Sequence, residues 1–324
     1  MTYHPLGPVM LGIEGHALTP ADVERLLDPL VGGVILFARN YDSPEQLGEL
    51  TSAIRVLRKP ELLIAVDHEG GRVQRFRDGF TQVPPMRTLG ELYDQDPWAA
   101  LREAQRIGWL IASELRPRGI DFSFTPVLDL DHGGSAVIGD RALHRKPDVV
   151  AELAVALRRG LNEGGMPAVA KHFPGHGFVT ADSHVALPVD RRTLEQLKQE
   201  DLLPFARLVD DGVEAIMPAH VVYEQVDAAP AGFSSRWVSG ILRGELNFDG
   251  LVVSDDLDMA GAHAAGDIVA RATAATDAGC DMVLVCNDLD AANILLSQWR
   301  PTIGPQLARR TAAMHGRAVG PPPY

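Results

Sequence analysis

The sequence predicts an α/β protein built as a single (β/α)8 barrel, on three observations. Eight short aliphatic runs recur, each is followed by a segment of helical period, and ionisable residues gather at one end of the runs. The runs cover residues 8–14, 33–38, 62–67, 122–128, 168–172, 214–220, 251–255 and 281–286. Each is nearly continuous in apolar character, as expected of parallel strands covered on both faces. Helical patterns follow at 20–30, 43–58, 97–116, 146–163, 193–211, 235–246, 268–278 and 291–299. Thr19 before Pro20, and Ser43 before Pro44 with Glu45 in the first turn, are helix-start signals. The competing architecture is an open doubly wound sheet. It is disfavoured because Gly12-Ile13-Glu14-Gly15-His16, after the first strand, lacks the third glycine of a dinucleotide-binding turn. No repeat, low-complexity block or linker interrupts the alternation, so residues 1–324 read as one barrel domain, with 319–324 as a frayed tail.

Composition narrows the function classes. Of 324 residues, 43 are acidic and 30 basic, a formal net charge of -13, and no Lys/Arg run exceeds two, which argues against a nucleic-acid partner. The longest apolar stretches fall far short of the ~20 residues that cross a bilayer. The opening Met1-Thr2-Tyr3-His4-Pro5 has no basic leader before an apolar run, so the expected compartment is the cytoplasm. Cys280 and Cys286 lie too far apart along one extended run to pair, and read as buried reduced thiols.

A barrel carries its chemistry at the C-terminal ends of its strands. The third run ends in Asp67-His68-Glu69-Gly70-Gly71-Arg72, the fifth in Lys171-His172-Phe173-Pro174-Gly175-His176-Gly177, the sixth in His220 and the seventh in Ser254-Asp255-Asp256. The opposite ends look blander, with Glu61 before the third run and Gly165-Met166-Pro167 before the fifth. A carboxylate at the end of the seventh strand suits attack on a carbon that develops positive charge, such as an anomeric centre. Successive side chains of an extended strand alternate faces, so only one of Asp255 and Asp256 is expected to point inward, and spacing alone leaves either possible. Lys171 and His172 offer charge and donors for hydroxyl groups, and the glycines at 175 and 177 allow close approach of a ligand. Asp182-Ser183-His184 sets a carboxylate and an imidazole two apart, close enough for the carboxylate to orient the ring and favour its protonated form. A histidine tuned in this way can give a proton to a leaving group and take one from water. His172 and His176 have the spacing of a helical metal pair, but Pro174 and the two glycines argue against a helix, and no metal or other cofactor is expected.

These residues resemble those of a known family. Asp67 to Arg75 (DHEGGRVQR), Ala136 to Arg141 (AVIGDR), Lys171 to Gly177 (KHFPGHG), Asp182-Ser183-His184, Met217-Pro218-Ala219-His220 and Ser254-Asp255-Asp256-Leu257 occur in the order seen in glycoside hydrolase family three, over about residues 8 to 290. The resemblance is to its bacterial β-N-acetylglucosaminidases of peptidoglycan recycling. It implies that Asp255 is the nucleophile, His184 the acid/base and Asp182 its partner. It also implies that Asp67, Arg75, Arg141, Lys171 and His172 hold the terminal N-acetylglucosamine, their cations forming a positive cluster. The implied reaction is two-step retaining hydrolysis, and the implied partner is a small-molecule muropeptide or chitobiose-like sugar. Transfer to phosphate, a non-catalytic sugar-binding barrel and a metal-dependent hydrolase are the alternatives.

Overall fold

Eight parallel strands carry the aliphatic runs: β1 (Val9–Leu11), β2 (Val31–Leu36), β3 (Leu63–Val66), β4 (Phe122–Ser123), β5 (Val169–Phe173), β6 (Ala215–Pro218), β7 (Leu251–Asp256) and β8 (Met282–Val285). The computed structural model describes residues 5–180, 183 and 187–323. Strands neighbour one another in the order β4-β3-β2-β1-β8-β7-β6-β5, every pair parallel. The two ends of this series meet where Val127 bridges Lys171, with the Val169 N–H donating to Thr125 O at 2.9 Å and the Leu128 N–H to Lys171 O at 2.7 Å. The fourth run is therefore a short regular strand followed by an irregular stretch at 125–128 that closes the barrel, its ladder interrupted at Pro126, which has no N–H.

The described helices surround the barrel: α1 (Pro20–Leu27), α2 (Pro44–Arg55), α3 (Arg87–Gln95), α4 (Pro97–Leu115), α5 (Pro147–Glu163), α6 (Leu194–Gln199), α7 (Leu202–Asp210), α8 (Ile268–Ala278), α9 (Leu289–Gln298) and α10 (Gln306–Ala313). Thr19 and Asp22 form a reciprocal capping box, and the Ser43 hydroxyl accepts from Gln46 N–H at 3.2 Å. Arg236–Glu245 winds as a π-helix in place of the predicted α-helix. Where α4 crosses α5, a side chain at Gly108 would strike Leu157 O and one at Gly160 would strike Gln105 O, so two glycines bring these helices backbone to backbone.

Three expectations are corrected. The helical pattern at 193–211 splits into α6 and α7, because the Pro204 ring would clash with the carbonyl four residues earlier; in the first turn of α7 it is tolerated. Helices α3 and α10 were not anticipated. The segment expected to fray from 319 is tied at Gly320, whose N–H donates to Glu163 O at 2.9 Å and whose carbonyl accepts from Trp109 Nε1 at 3.1 Å. Cys280 and Cys286 are buried free thiols, and no described helix is long and apolar enough to cross a membrane.

Candidate active site

A cavity of about 570 Å³ opens at the C-terminal ends of the strands, lined in part by Asp67, Glu69, Arg75, Arg141, Lys171, His172, His176, Ser183, Asp255 and Asp256. Asp67 follows β3, and the short antiparallel ribbon of His68–Gly70 with Val73–Gln74 turns the chain back so that Arg75 meets it at 3.4 Å. Lys171 and His172 come from the end of β5, where the register against β6 shifts between Lys171 and Phe173, and both of these consecutive residues line the cavity. The Lys171 ammonium, nearly inaccessible to solvent, sits 2.8 Å from Asp67 Oδ1 and 2.6 Å from Glu69 Oε1. Burial by itself pushes its pKa down, but the two carboxylates outweigh burial and hold the lysine charged above its ordinary value.

Glu69 is the hub of this network. Its buried carboxylate also receives a bidentate pair from Arg141, Nε to Oε2 and Nη2 to Oε1, both at 2.8 Å. Burial opposes the charge on Glu69, yet Arg141 and Lys171 press its pKa far below the carboxylate range, and Arg141 rises in return. The cations of the expected cluster come together, and its lysine and arginines are each matched by a carboxylate. A cation inserted alone into this wall would meet the desolvation cost unpaired, and Asp67 and Glu69 offset it.

His172 is held by Asp129, a residue to which the sequence reading gave no role. Asp129 is wholly buried at the barrel seam and accepts from His172 Nδ1 at 2.6 Å, His172 N–H at 3.2 Å and His176 N–H at 2.7 Å. Burial raises a carboxyl pKa, but the neighbouring imidazoles and amide donors bring Asp129 down to about 2. Because the carboxylate only accepts, His172 carries its proton on Nδ1, which leaves Nε2 to meet a ligand. A signal for Asp129 existed: Val127-Leu128 is one more apolar run that stops on carboxylates and a histidine, Asp129-Leu130-Asp131-His132.

Asp255 and Asp256 both line the cavity, which corrects the expectation that only one of them points inward. The cause is a register shift: Val253 pairs with Met282 and Asp256 with Leu284, so β7 spends three residues where β8 spends two. Such a bulge breaks the alternation and re-aims a side chain. The Asp256 N–H donates to Asp255 Oδ1 at 2.8 Å. Burial, then the charges of Asp258 and Asp255, push Asp256 up to about 7. His220 is buried beneath this strand end, its Nε2 3.1 Å from Asp256 O, and burial holds its pKa down.

Other predicted residues fall elsewhere. His68 is buried against Phe76 and Phe80 at ring distances of 5.9 and 5.7 Å, and burial lowers its pKa to about 3, so it is a packing residue. Asp182 and His184 lie outside the described residues. Ser183 between them is buried, with His176 Nε2 at 2.9 Å from its hydroxyl and the Gly261 N–H donating to its carbonyl at 2.9 Å. Among the described residues one histidine-carboxylate group with the closeness of metal ligands, His132, Glu200 and Asp201, belongs to another surface, and Arg192 already pairs with both of its carboxylates.

A closed parallel barrel whose strand ends converge on a carboxylate-bearing polar cavity defines a class of barrel hydrolases. The family model described as the glycosyl hydrolase family 3 N-terminal domain matches residues 10–298, and the chain belongs to that family. It is a glycoside hydrolase of the β-hexosaminidase type. A β-hexosaminidase of Methylobacillus flagellatus is 57% identical over 311 residues, 96% of this chain and 89% of that one. NagZ from Neisseria gonorrhoeae, solved in complex with N-trifluoroacetyl-D-glucosamine, superposes with a TM-score of 0.93 at 51% identity, covering 98% of this chain and 92% of the other. A β-N-acetylhexosaminidase of Beutenbergia cavernae gives 0.80 at 28% identity, covering 94% and 95%.

Proposed function

We propose that residues 1–324 form one barrel domain that acts as a retaining exo-β-N-acetylglucosaminidase. Its substrates are muropeptide fragments such as N-acetylglucosamine joined β-1,4 to 1,6-anhydro-N-acetylmuramic acid, with or without peptide, and its place is cell-wall recycling in the cytoplasm. The observation that carries the reading is that Asp255 shares one cavity with the paired donors Lys171 and Arg141 and with His172. It is supported by the likeness to a protein solved with an N-acylated glucosamine.

Asp255 attacks the anomeric carbon and His184, oriented by Asp182, protonates the departing oxygen. The glycosyl-enzyme ester is then hydrolysed by a water that His184 deprotonates. Asp67, Arg75, Arg141, Lys171 and His172 hold the sugar. Their ion pairs fix each donor before the ligand arrives, so little ordering entropy is lost on binding. A panel of aryl β-glycosides (glucoside, xyloside and N-acetylglucosaminide), with the product anomer followed by NMR, tests the reading. Preferred turnover of the N-acetylglucosaminide with first release of the β-anomer is expected. First release of the α-anomer contradicts the covalent route, and phosphate-dependent formation of the sugar 1-phosphate contradicts hydrolysis.

A further inference from the structure

The bulge in β7 leaves a bonding problem at the point where Asp255 stands. In a regular parallel pair the amides of β8 donate to carbonyls of the neighbouring strand, and an inserted residue breaks that register. Here side chains take the place of the missing acceptors. The Leu284 N–H donates to Ser254 Oγ at 3.2 Å, and the Cys286 N–H donates to Asp256 Oδ1 at 3.2 Å. These two surrogate acceptors flank Asp255 on its own strand.

The peptide units around Asp255 are held as well. The Ser254 hydroxyl donates to Asp255 O at 2.8 Å, and Asp258 N–H adds a second donor to Asp256 Oδ1 at 3.0 Å. From just past the end of β6, His220 reaches Asp256 O; a carbonyl only accepts, so the ring carries its proton on Nε2. Ser254 and His220 are inaccessible to solvent, where a hydrogen bond left unmade is costly. Asn287, whose side-chain oxygen accepts from Arg39 at 2.8 Å, turns its amide nitrogen toward Asp256 Oδ2 at 3.4 Å.

We propose that Ser254, Asp256 and His220 are positioning residues that hold the β7 bulge and so aim the Asp255 carboxylate into the cavity. The second aspartate of the Ser-Asp-Asp run acts by accepting from the Cys286 N–H, just past β8, and the serine through its twofold use as acceptor and donor. The proposal rests on the reading of Asp255 as the nucleophile. A displacement of about 1 Å at a reacting group costs on the order of 10²-fold in rate, whereas ligand affinity, set by the Lys171 and Arg141 side of the cavity, is unaffected.

The test uses the full chain and an aryl N-acetyl-β-glucosaminide. Ser254→Ala and Asp256→Ala are expected to lower kcat by roughly 10- to 100-fold, with KM and the inhibition constant of free N-acetylglucosamine within about threefold of the parent. Asp256→Asn keeps the Oδ1 acceptor and is expected to retain kcat within about fivefold; His220→Gln, which keeps an N–H donor, is expected to outperform His220→Ala. Parent-like kcat in Ser254→Ala and Asp256→Ala overturns the proposal, as does an Asp256→Asn enzyme as impaired as Asp256→Ala. Should Asp256→Ala fail to fold, Ser254→Ala and the Asn variant decide. Asp255→Gly with added azide separates the two readings: rescue with formation of the α-glycosyl azide supports the nucleophile, and its absence removes that reading and this one together. Rescue alongside parent-like Ser254 and Asp256 variants removes the positioning role alone.

Discussion

Carboxylates stand at both ends of the barrel, and their partners differ. At the N-terminal ends each of three takes an amide from the start of the neighbouring strand: Asp121 from Ile64 (2.9 Å), Glu214 from Ala168 (3.0 Å) and Asp281 from Val252 (2.8 Å). Arginines then close each one off, Arg55 and Arg116 on Asp121, Arg158 on Glu214, and Arg243 and Arg310 on Asp281. At the C-terminal ends, Asp67 and Glu69 are also paired, but they line a cavity together with Asp255, and Arg75, Arg141 and Lys171, which pair with them, line it too. The expectation that the N-terminal ends are bland is therefore corrected: three of them carry carboxylates, each spent on a backbone amide and on arginines. Charge at a strand end is not by itself a sign of chemistry; charge that retains a face toward a cavity is.

That contrast predicts where a substitution costs activity and where it costs stability. The largest effect is expected for Asp255→Asn, which should lower hydrolysis of an aryl N-acetyl-β-glucosaminide by ~10³-fold or more while leaving the melting temperature nearly unchanged. Near-parent turnover in that variant contradicts the catalytic assignment.

Glu69→Ala removes the carboxylate that pairs with the buried Arg141, and one of the two that flank Lys171. It is expected to lose about 3–5 kcal/mol of stability by urea unfolding, together with most activity, because removing one partner leaves uncompensated buried charge. Unchanged unfolding would show that Arg141 finds another partner. Asp281→Ala, its counterpart at the other end, is expected to lose roughly 2–3 kcal/mol with kcat/KM within twofold, since Asp281 bonds only structural groups. A large loss of kcat/KM in the folded Asp281 variant would break the division between the ends.

Asp129 supplies a pH test. Its folded pKa of about 2 lies below the ordinary carboxylate value of 3.8, so its contribution, about 2 kcal/mol, is fully present above pH 4 and is lost as pH falls through 2. Unfolding free energies of the parent and of Asp129→Asn, measured from pH 5 to pH 2, are expected to converge toward the acid end. Parallel curves would mean that Asp129 titrates alike in both states. The smallest effect is expected for Arg309→Ala: its pair with Asp249 is exposed on both sides, and no measurable change in melting temperature should follow.

Much of this molecule is legible in local sequence. The aliphatic runs, the caps at Thr19 and Ser43, and the clusters after the third, fifth and seventh runs each lie within a few residues of one another, so periodicity and turn chemistry suffice to place them. Helices α3 and α10 escaped because each carries few buried positions, and their helicity depends on what they pack against. Asp129 obeys the same strand-end rule, since it stands directly after the fourth run.

The sequence by itself determined the barrel and the end of the strands at which the ionisable clusters gather, because strand and helix periods are properties of neighbouring residues. Only the tertiary structure decided that Lys171 is shared by Asp67 and Glu69, residues about a hundred positions away, and that His172 is fixed by Asp129. It also decided that Asp255 and Asp256 share one cavity, because a bulge is set by the register of two strands against each other. Ion pairing and register are relations across the barrel, and no local pattern encodes a distance between chain segments that meet only when the sheet closes.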